Sequence, residues 1–303
     1  MYLAGPWPLC WRTTPNHPPT MTRLSRLCLA CIVATSGAAT LPAAAGPVAL
    51  PTSGSTCIGV CGSSAADGDL GLSPLGQARY GYVATAGSTA YGVSPLTLDG
   101  NSRGQQTNGS TWTSGLFSAT AGDPIEVWFN YASTDGKGFD DYAWARLLDA
   151  GSGDLVAWLF TARSSNASTG NIVPGDVVTK KEFDPRDSIV NYDSYAFTSK
   201  TVDDPIDWQP LGVSNGTCWR DNASGCGFTG WLQARHVFAS SGSFRLEVGV
   251  INWGDEAYDS GLAFDVAGLS VTQTVPEPGT LALWAMATGM AALARRRAVR
   301  PRD

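Results

Sequence analysis

The chain has 303 residues, and 26 acidic against 20 basic side chains give a formal net charge of −6. That balance argues against recognition of nucleic acid or anionic lipid by simple electrostatics. Only two histidines occur, so no Ser-His-Asp or Cys-His set can be assembled, and there is no HExxH or phosphate-loop pattern to give a zinc-hydrolase or nucleotide site a foothold.

In chain order, residues 1–20 come first and carry Pro6, Pro8, Pro15, Pro18 and Pro19. They fit no export pattern and read as an extension upstream of a start at Met21. Residues 21–45 have the order of a secretory signal peptide: Arg23 and Arg26, an apolar run from Leu27 to Val33, and small residues at Ala43, Ala44 and Ala45. The alternative is a retained N-terminal anchor, but the apolar run is short for a membrane span and interrupted by Ser, Gly and Pro.

Residues 46–109 are rich in Gly, Ser, Ala and Thr and predict one or two edge strands, such as the one at Tyr80, plus loops. From 110 to 274 strand signals recur, each bounded by turn residues. In the strand from Pro124, Ile125, Val127, Phe129 and Tyr131 share one face, while Glu126, Trp128 and Asn130 share the other. In the strand from Ser243, Phe244, Leu246, Val248 and Val250 lie opposite Arg245 and Glu247. Strands starting at Tyr142, Leu155, Trp231 and Gly261 complete the set. Period-two alternation predicts an all-β fold, a jelly-roll-like antiparallel β-sandwich with one face of each sheet buried. The segment from Thr111 to Tyr131 reads as its opening pair of strands around an Ala-Gly-Asp turn. A polar insertion at 164–215 is long enough to predict a functional or locally disordered loop.

The chain ends with Val275, Pro276, Glu277, Pro278 and Gly279, an apolar segment at 280–294, and a basic tail at 295–303 that opens with Arg295, Arg296 and Arg297. These three parts in order closely resemble the PEP-CTERM sorting signal of Gram-negative bacteria that make extracellular polysaccharide. The resemblance implies export through the Sec machinery, recognition by the membrane-embedded exosortase, and cleavage near Pro276-Glu277-Pro278. Fifteen helical residues span only about 22 Å against a hydrocarbon core of roughly 30 Å, so the helix is a marginal, transient inner-membrane anchor. The arginines hold its end in the cytoplasm, leaving residues 46–274 outside. Membrane contact is expected only through this helix, before processing. The region from about Ser110 to Thr272 also resembles an ectodomain family of PEP-CTERM proteins, through FNYASTDGKGFDDYAWARLLD, CGFTGW and VINWGDEAYDSGLAFDVAGL. That resemblance implies architecture and compartment, and no chemistry.

Removing both ends takes away eight basic and two acidic residues, leaving 12 against 24 and a net charge of −12. Four cysteines remain: Cys57, Cys61, Cys218 and Cys226. An oxidising compartment favours disulfides, and of the three pairings the two local ones, Cys57–Cys61 and Cys218–Cys226, each close a short Gly/Ser loop. A four-thiolate zinc site is the alternative, and its spacings fit zinc ribbons poorly. The remaining histidine, His236, sits in a predicted strand. The sequons at Asn108, Asn166, Asn215 and Asn222 are read as chance products of a polar surface.

Three constellations carry chemistry. Asp135, Asp140 and Asp141 lie in one turn, and Asp255, Glu256 and Asp259 in another; loop carboxylates of this kind are candidate calcium ligands if jelly-roll connectivity gathers both turns at one end. No other cofactor is expected. Among eight tryptophans of the exported part, Trp128 points away from the apolar face and Trp219 flanks a disulfide loop, making them the candidate carbohydrate contacts. With 24 acids, some pair will stand at glycosidase spacing by accident, so a hydrolase has no residues to name. The expected function is a non-enzymatic surface or extracellular-matrix protein associated with exopolysaccharide or biofilm. The alternatives are a carbohydrate-binding module and, third, a polysaccharide hydrolase.

Overall fold

The computed structural model describes residues 50, 53–96, 104–136, 139–164, 173–174, 185–195, 197–220 and 225–267. The upstream extension, the signal peptide, the sorting signal and much of the insertion lie outside the described residues.

Among the described residues, fifteen strands follow one another. The first five are β1 (Thr56–Ile58), β2 (Val60–Ser64), β3 (Tyr80–Ala84), β4 (Ala90–Tyr91) and β5 (Gln106–Thr113). Next come β6 (Phe117–Ala119), β7 (Pro124–Ser133), β8 (Tyr142–Asp149), β9 (Leu155–Arg163) and β10 (Val173–Pro174). A short helix α1 (Pro185–Ser188) precedes β11 (Thr198–Ser199), β12 (Gly227–Phe228), β13 (Leu232–Val237), β14 (Gly242–Trp253) and β15 (Ser260–Val266). They form two antiparallel sheets. The first has the path β1-β5-β14-β8-β9-β10, with β4 on β5 and β6 on β14; the second runs β11-β12-β7-β15-β3-β2, with β13 on β7.

The alternation read from the sequence decides what lies between the sheets. Ile125, Val127, Phe129 and Tyr131 of β7 are fully buried, as are Leu246, Val248 and Val250 of β14. Phe129 stacks on Phe160 of the opposite sheet at 5.0 Å, and Phe117, Phe238 and Phe244 form a second aromatic knot. Each such side chain contributes about 1.5–3 kcal/mol on burial.

Two expectations are corrected in detail. The Ala121–Asp123 turn does not join paired strands: β6 pairs with β14 in the first sheet and β7 lies in the second. The Gly/Ser-rich segment supplies edges at β1 and β2, but its strand β3 is internal, between β15 and β2. Tyr80, Val83 and Ala84 are buried because material packs on both faces of that sheet.

That material forms a third layer. Leu70 together with Ile206, Trp208 and Leu211 of the insertion buries a second apolar cluster against Tyr80, Ala132 and Ala263 on the outer face of the second sheet. Trp208 is fully buried and donates from its indole Nε1 to the Tyr80 hydroxyl at 2.9 Å. The Asp69 N–H donates to the Asp207 carbonyl at 2.7 Å, and the Asp207 N–H returns a bond to the Asp69 carboxylate at 2.8 Å. Gly68 makes this approach feasible: at φ +54°, a Cβ there would lie 2.0 Å from the Asp207 carbonyl oxygen. Lys200 Nζ pairs with Asp69 at 2.9 Å and with Asp204 at 3.2 Å. The described part of the insertion is therefore a packed cover.

Candidate functional site

The β7–β8 and β14–β15 connections meet at one end of the sandwich, as the loop argument anticipates. The Thr134 N–H and hydroxyl both donate to the Asp259 carbonyl at 3.0 Å. Asp141 clamps the two sheets: one carboxylate oxygen accepts the Trp253 N–H of β14 at 2.8 Å, and the other accepts the Ser260 hydroxyl of β15 at 2.8 Å. The Tyr131 hydroxyl donates to the Asp141 carbonyl at 3.0 Å. Asp259 accepts from the Thr85 and Ser214 hydroxyls at 3.0 and 2.8 Å. Asp140 stands 3.9 Å from Arg163, and Asp135 accepts the Gly136 N–H at 2.7 Å. The Tyr91 hydroxyl donates to Glu256, and Asp255 accepts the Ala257 N–H at 2.9 Å.

Burial sets the electrostatics of this end. Asp135 is 3 % exposed and Asp141 is 1 % exposed. Burial, reinforced by the charges of Asp255 and Asp140, pushes the Asp135 carboxyl up to about 7 against the pull of the Gly136 N–H. Burial and then the Asp135 charge raise Asp141 well above the carboxylate range, more than its hydrogen bonds lower it. Asp259 is raised by burial, with its hydroxyl donors opposing. The cause throughout is the cost of holding a charge out of water. For the calcium expectation, the acids gather but do not converge. Among the described residues no group of three or more His, Cys, Asp or Glu side chains is placed to hold a metal ion, and these carboxylates already face protein donors.

The tryptophan candidates separate. Trp128 is half-buried on the outer face of the second sheet, level with Gln233 of β13 and Asp265 of β15. Asp265 is covered by the Ser73 hydroxyl and by Gln77 Nε2 at 2.8 Å. Trp219 is also half-buried and packs edge-on against Phe139 at 5.0 Å. The Arg220 guanidinium lies 4.2 Å from its ring centre, and Gly136 packs on the indole. The surfaces that would stack a sugar on Trp219 are thus largely engaged within the protein.

Both local disulfides form, Cys57–Cys61 and Cys218–Cys226, with Cα–Cα distances of 6.1 and 5.8 Å. His236 lies in β13 with its ring edge-on to Phe238 at 5.3 Å, and burial lowers its pKa. Asn108 is buried and donates to the Thr85 and Ser88 carbonyls, a structural role for this sequon. The sequence reading missed Trp112 and the cleft beside it. Its only signal was a tryptophan in a strand that faces Cys57 across an edge pairing.

A model of the PEP-CTERM protein-sorting motif matches residues 274–298. The chain therefore carries this sorting signal, which implies recognition by exosortase and export to the cell surface or extracellular space. The described ectodomain, all-β in two antiparallel sheets, is compatible with that destination. No curated protein matches the chain. Among solved structures, the chain is similar at 10 % identity to the enzymatically active domain of bacteriophage CBA120 tailspike protein 4. That likeness covers 71 % of this chain and 20 % of the tailspike chain, with a TM-score of 0.28, and carries no argument about fold or activity. Among the described residues no helix is long and apolar enough to cross a membrane; the apolar segment at 280–294 lies outside them.

Proposed function

We propose that this is a non-enzymatic surface or matrix protein, exported by the Sec machinery on the signal peptide at 21–45 and delivered by exosortase into the polysaccharide coat of the producing cell. The sorting motif at residues 274–298 carries this reading. In it, the apolar helix at 280–294 anchors the precursor to the inner membrane only until cleavage, and the two sheets are a jelly-roll-like sandwich. The acidic pair Asp135 and Asp141 supports a structural rather than a catalytic role. Both carboxyls are enclosed, and Asp141 spends its oxygens on a backbone N–H and a hydroxyl that tie the sheets together. A glycosidase needs its two acids on opposite sides of a cleft open to substrate.

Intact-mass measurement on protein from the native host tests the reading. The mature chain should begin at or near Gly46 and lack Arg295, Arg296 and Arg297. A retained arginine tail overturns it. Release of reducing sugar from the host exopolysaccharide would replace it with the hydrolase reading.

The second reading is a carbohydrate-binding module. It is favoured by aromatic side chains at the surface, Trp128 first because its neighbours Gln233 and Asp265 are polar. Binding of the host exopolysaccharide that Trp128→Ala abolishes would establish it at that site.

A further inference from the structure

β1 belongs to the first sheet and β2 to the second, with Gly59 alone between them. The chain changes sheets in one residue, at φ +81°, where a Cβ would fall 2.4 Å from the Ser110 hydroxyl and 2.6 Å from the Gly109 carbonyl. Just beside this corner the Cys57–Cys61 bridge joins the two strands and so cross-links the two sheet edges. Between those edges is an open cleft of about 370 Å³, lined by Ser55, Thr56, the disulfide, Gly62, Ser63 and Trp112.

Trp112 stands level with Val248 of β14 and Cys57 of β1, on the inner side of β5. Its indole packs on Phe264 with ring centres 4.9 Å apart. Phe264 is itself buried, so Trp112 is braced from beneath and stays at the cleft, partly exposed. No residue lining the cleft is charged, although the exported part of the chain carries 24 acids. Arg79 reaches Ser63: its Nε donates to the Ser63 hydroxyl oxygen at 3.1 Å, and a second guanidinium nitrogen donates to the Ser63 carbonyl at 2.5 Å. The Ser63 oxygen thus accepts from Arg79 and keeps its own O–H to donate.

We propose that this cleft is a binding subsite for a neutral hexopyranose unit, with the Trp112 indole as the apolar contact and the hydroxyls of Thr56 and Ser63 as hydrogen-bond partners. A pyranose combines an apolar C–H face with a rim of hydroxyls, and the cleft offers the complementary pair of surfaces. Walls without a charged side chain suit an uncharged ligand, since the one guanidinium beside them, Arg79, is already engaged by the Ser63 hydroxyl and carbonyl. The volume stands at the small end of ligand sites, which suits one or two sugar units rather than a long chain. The proposal rests on the carbohydrate reading above and moves its contact from Trp128 and Trp219 to Trp112.

The test is saturation-transfer NMR on the full exported protein. The probes are methyl glucoside, methyl galactoside and methyl mannoside at millimolar concentration, with glucuronate as the charged control. Thr56→Trp fills the mouth of the cleft from an exposed strand position and leaves the core alone. A neutral glycoside should give transfer, glucuronate should give none, and Thr56→Trp should weaken binding about tenfold or more, with the melting temperature unchanged. Binding that survives Thr56→Trp but is lost in Trp128→Ala or Trp219→Ala overturns the cleft and keeps the carbohydrate reading. Preference for glucuronate overturns the neutral assignment. Absence of transfer from every glycoside overturns the cleft, and the exported matrix reading then stands or falls on the mass measurement alone.

Discussion

The two disulfides occupy opposite surroundings. Cys226 is fully buried and Cys218 is 6 % exposed, inside the apolar cluster that holds Trp208, Ile206 and Leu211 to the outer face of the second sheet. Cys57 is exposed, at a corner where the chain passes between sheets. Chain entropy alone makes the two bridges nearly equal, about 2–3 kcal/mol each, because both close short loops. What distinguishes them is what each one holds. The buried bridge belongs to a covering layer whose loss would expose aromatic surface; the exposed one lines a cleft.

The strongest way to break that contrast is to remove the cover's main anchor. Trp208→Ala should cost about 3–5 kcal/mol by chemical denaturation, since it leaves a large cavity and strips the Tyr80 hydroxyl of its indole donor. Cys218→Ala with Cys226→Ala should fall in the same class, at about 2–5 kcal/mol. A loss below about 1 kcal/mol for Trp208→Ala would show that the cover is peripheral and that the two bridges do not differ in this way.

The next effect is electrostatic and compares the acid-clamped end with the rest of the surface. Asp135 has a raised pKa in the fold, about 7 against 3.8, and Asp141 is shifted in the same direction. Between these values the folded state binds more protons than the unfolded state, so stability falls as pH rises from about 4 to about 7. The opposite trend would apply to carboxylates stabilised by ion pairs. Loss on the order of 2–4 kcal/mol is expected across that window. Asp141→Asn keeps an acceptor for the Trp253 N–H and imitates the protonated acid, so it should flatten the profile without unfolding the protein. Melting curves at pH of about 5 and about 8 read this directly. Adding calcium or EDTA at the higher pH separates proton from cation. Stabilisation by calcium that Asp140→Asn with Asp259→Asn abolishes would assign the neutralising role to a metal; indifference leaves it with the proton.

These two regions also mark how far the residues themselves reveal the structure. Ile125 to Tyr131 and Phe244 to Val250 declare their inner faces because alternation and burial follow one rule, period two. The short loops at 57–61 and 218–226 declare their bridges because few residues separate the sulfurs. The meeting of the β7–β8 and β14–β15 loops followed from topology, but the partners of each acid did not: that Asp141 accepts the Trp253 N–H and the Ser260 hydroxyl depends on strands far apart in the chain. The cover was hidden because Trp208 and Leu211 sit in a polar, turn-rich stretch without periodicity, and only their contact with Tyr80 and Ala263 makes them core. Trp112 was hidden for a related reason. Its exposure depends on an edge between two sheets, and a single strand's pattern holds no information about where an edge falls.

The smallest expected effect concerns the exposed bridge. Cys57→Ser with Cys61→Ser removes a cross-link that closes three intervening residues, so the entropic loss is bounded at about 2 kcal/mol. The flanking strands keep their partners without it. Thr56, Cys57 and Ile58 are paired with Thr113, Trp112 and Thr111, and Val60 to Ser64 are paired with Ala84 to Tyr80. The corner is further pinned by the Val60 N–H, which donates to the Ser110 hydroxyl at 2.7 Å. Part of the bound should therefore go unrealised, and a loss of about 1 kcal/mol is expected in denaturant. The same double variant should have a larger consequence for glycoside binding, because the bridge itself lines the cleft. If stability drops by about 4 kcal/mol or more, the corner is holding the sandwich shut rather than shaping a site, and the two bridges are alike after all.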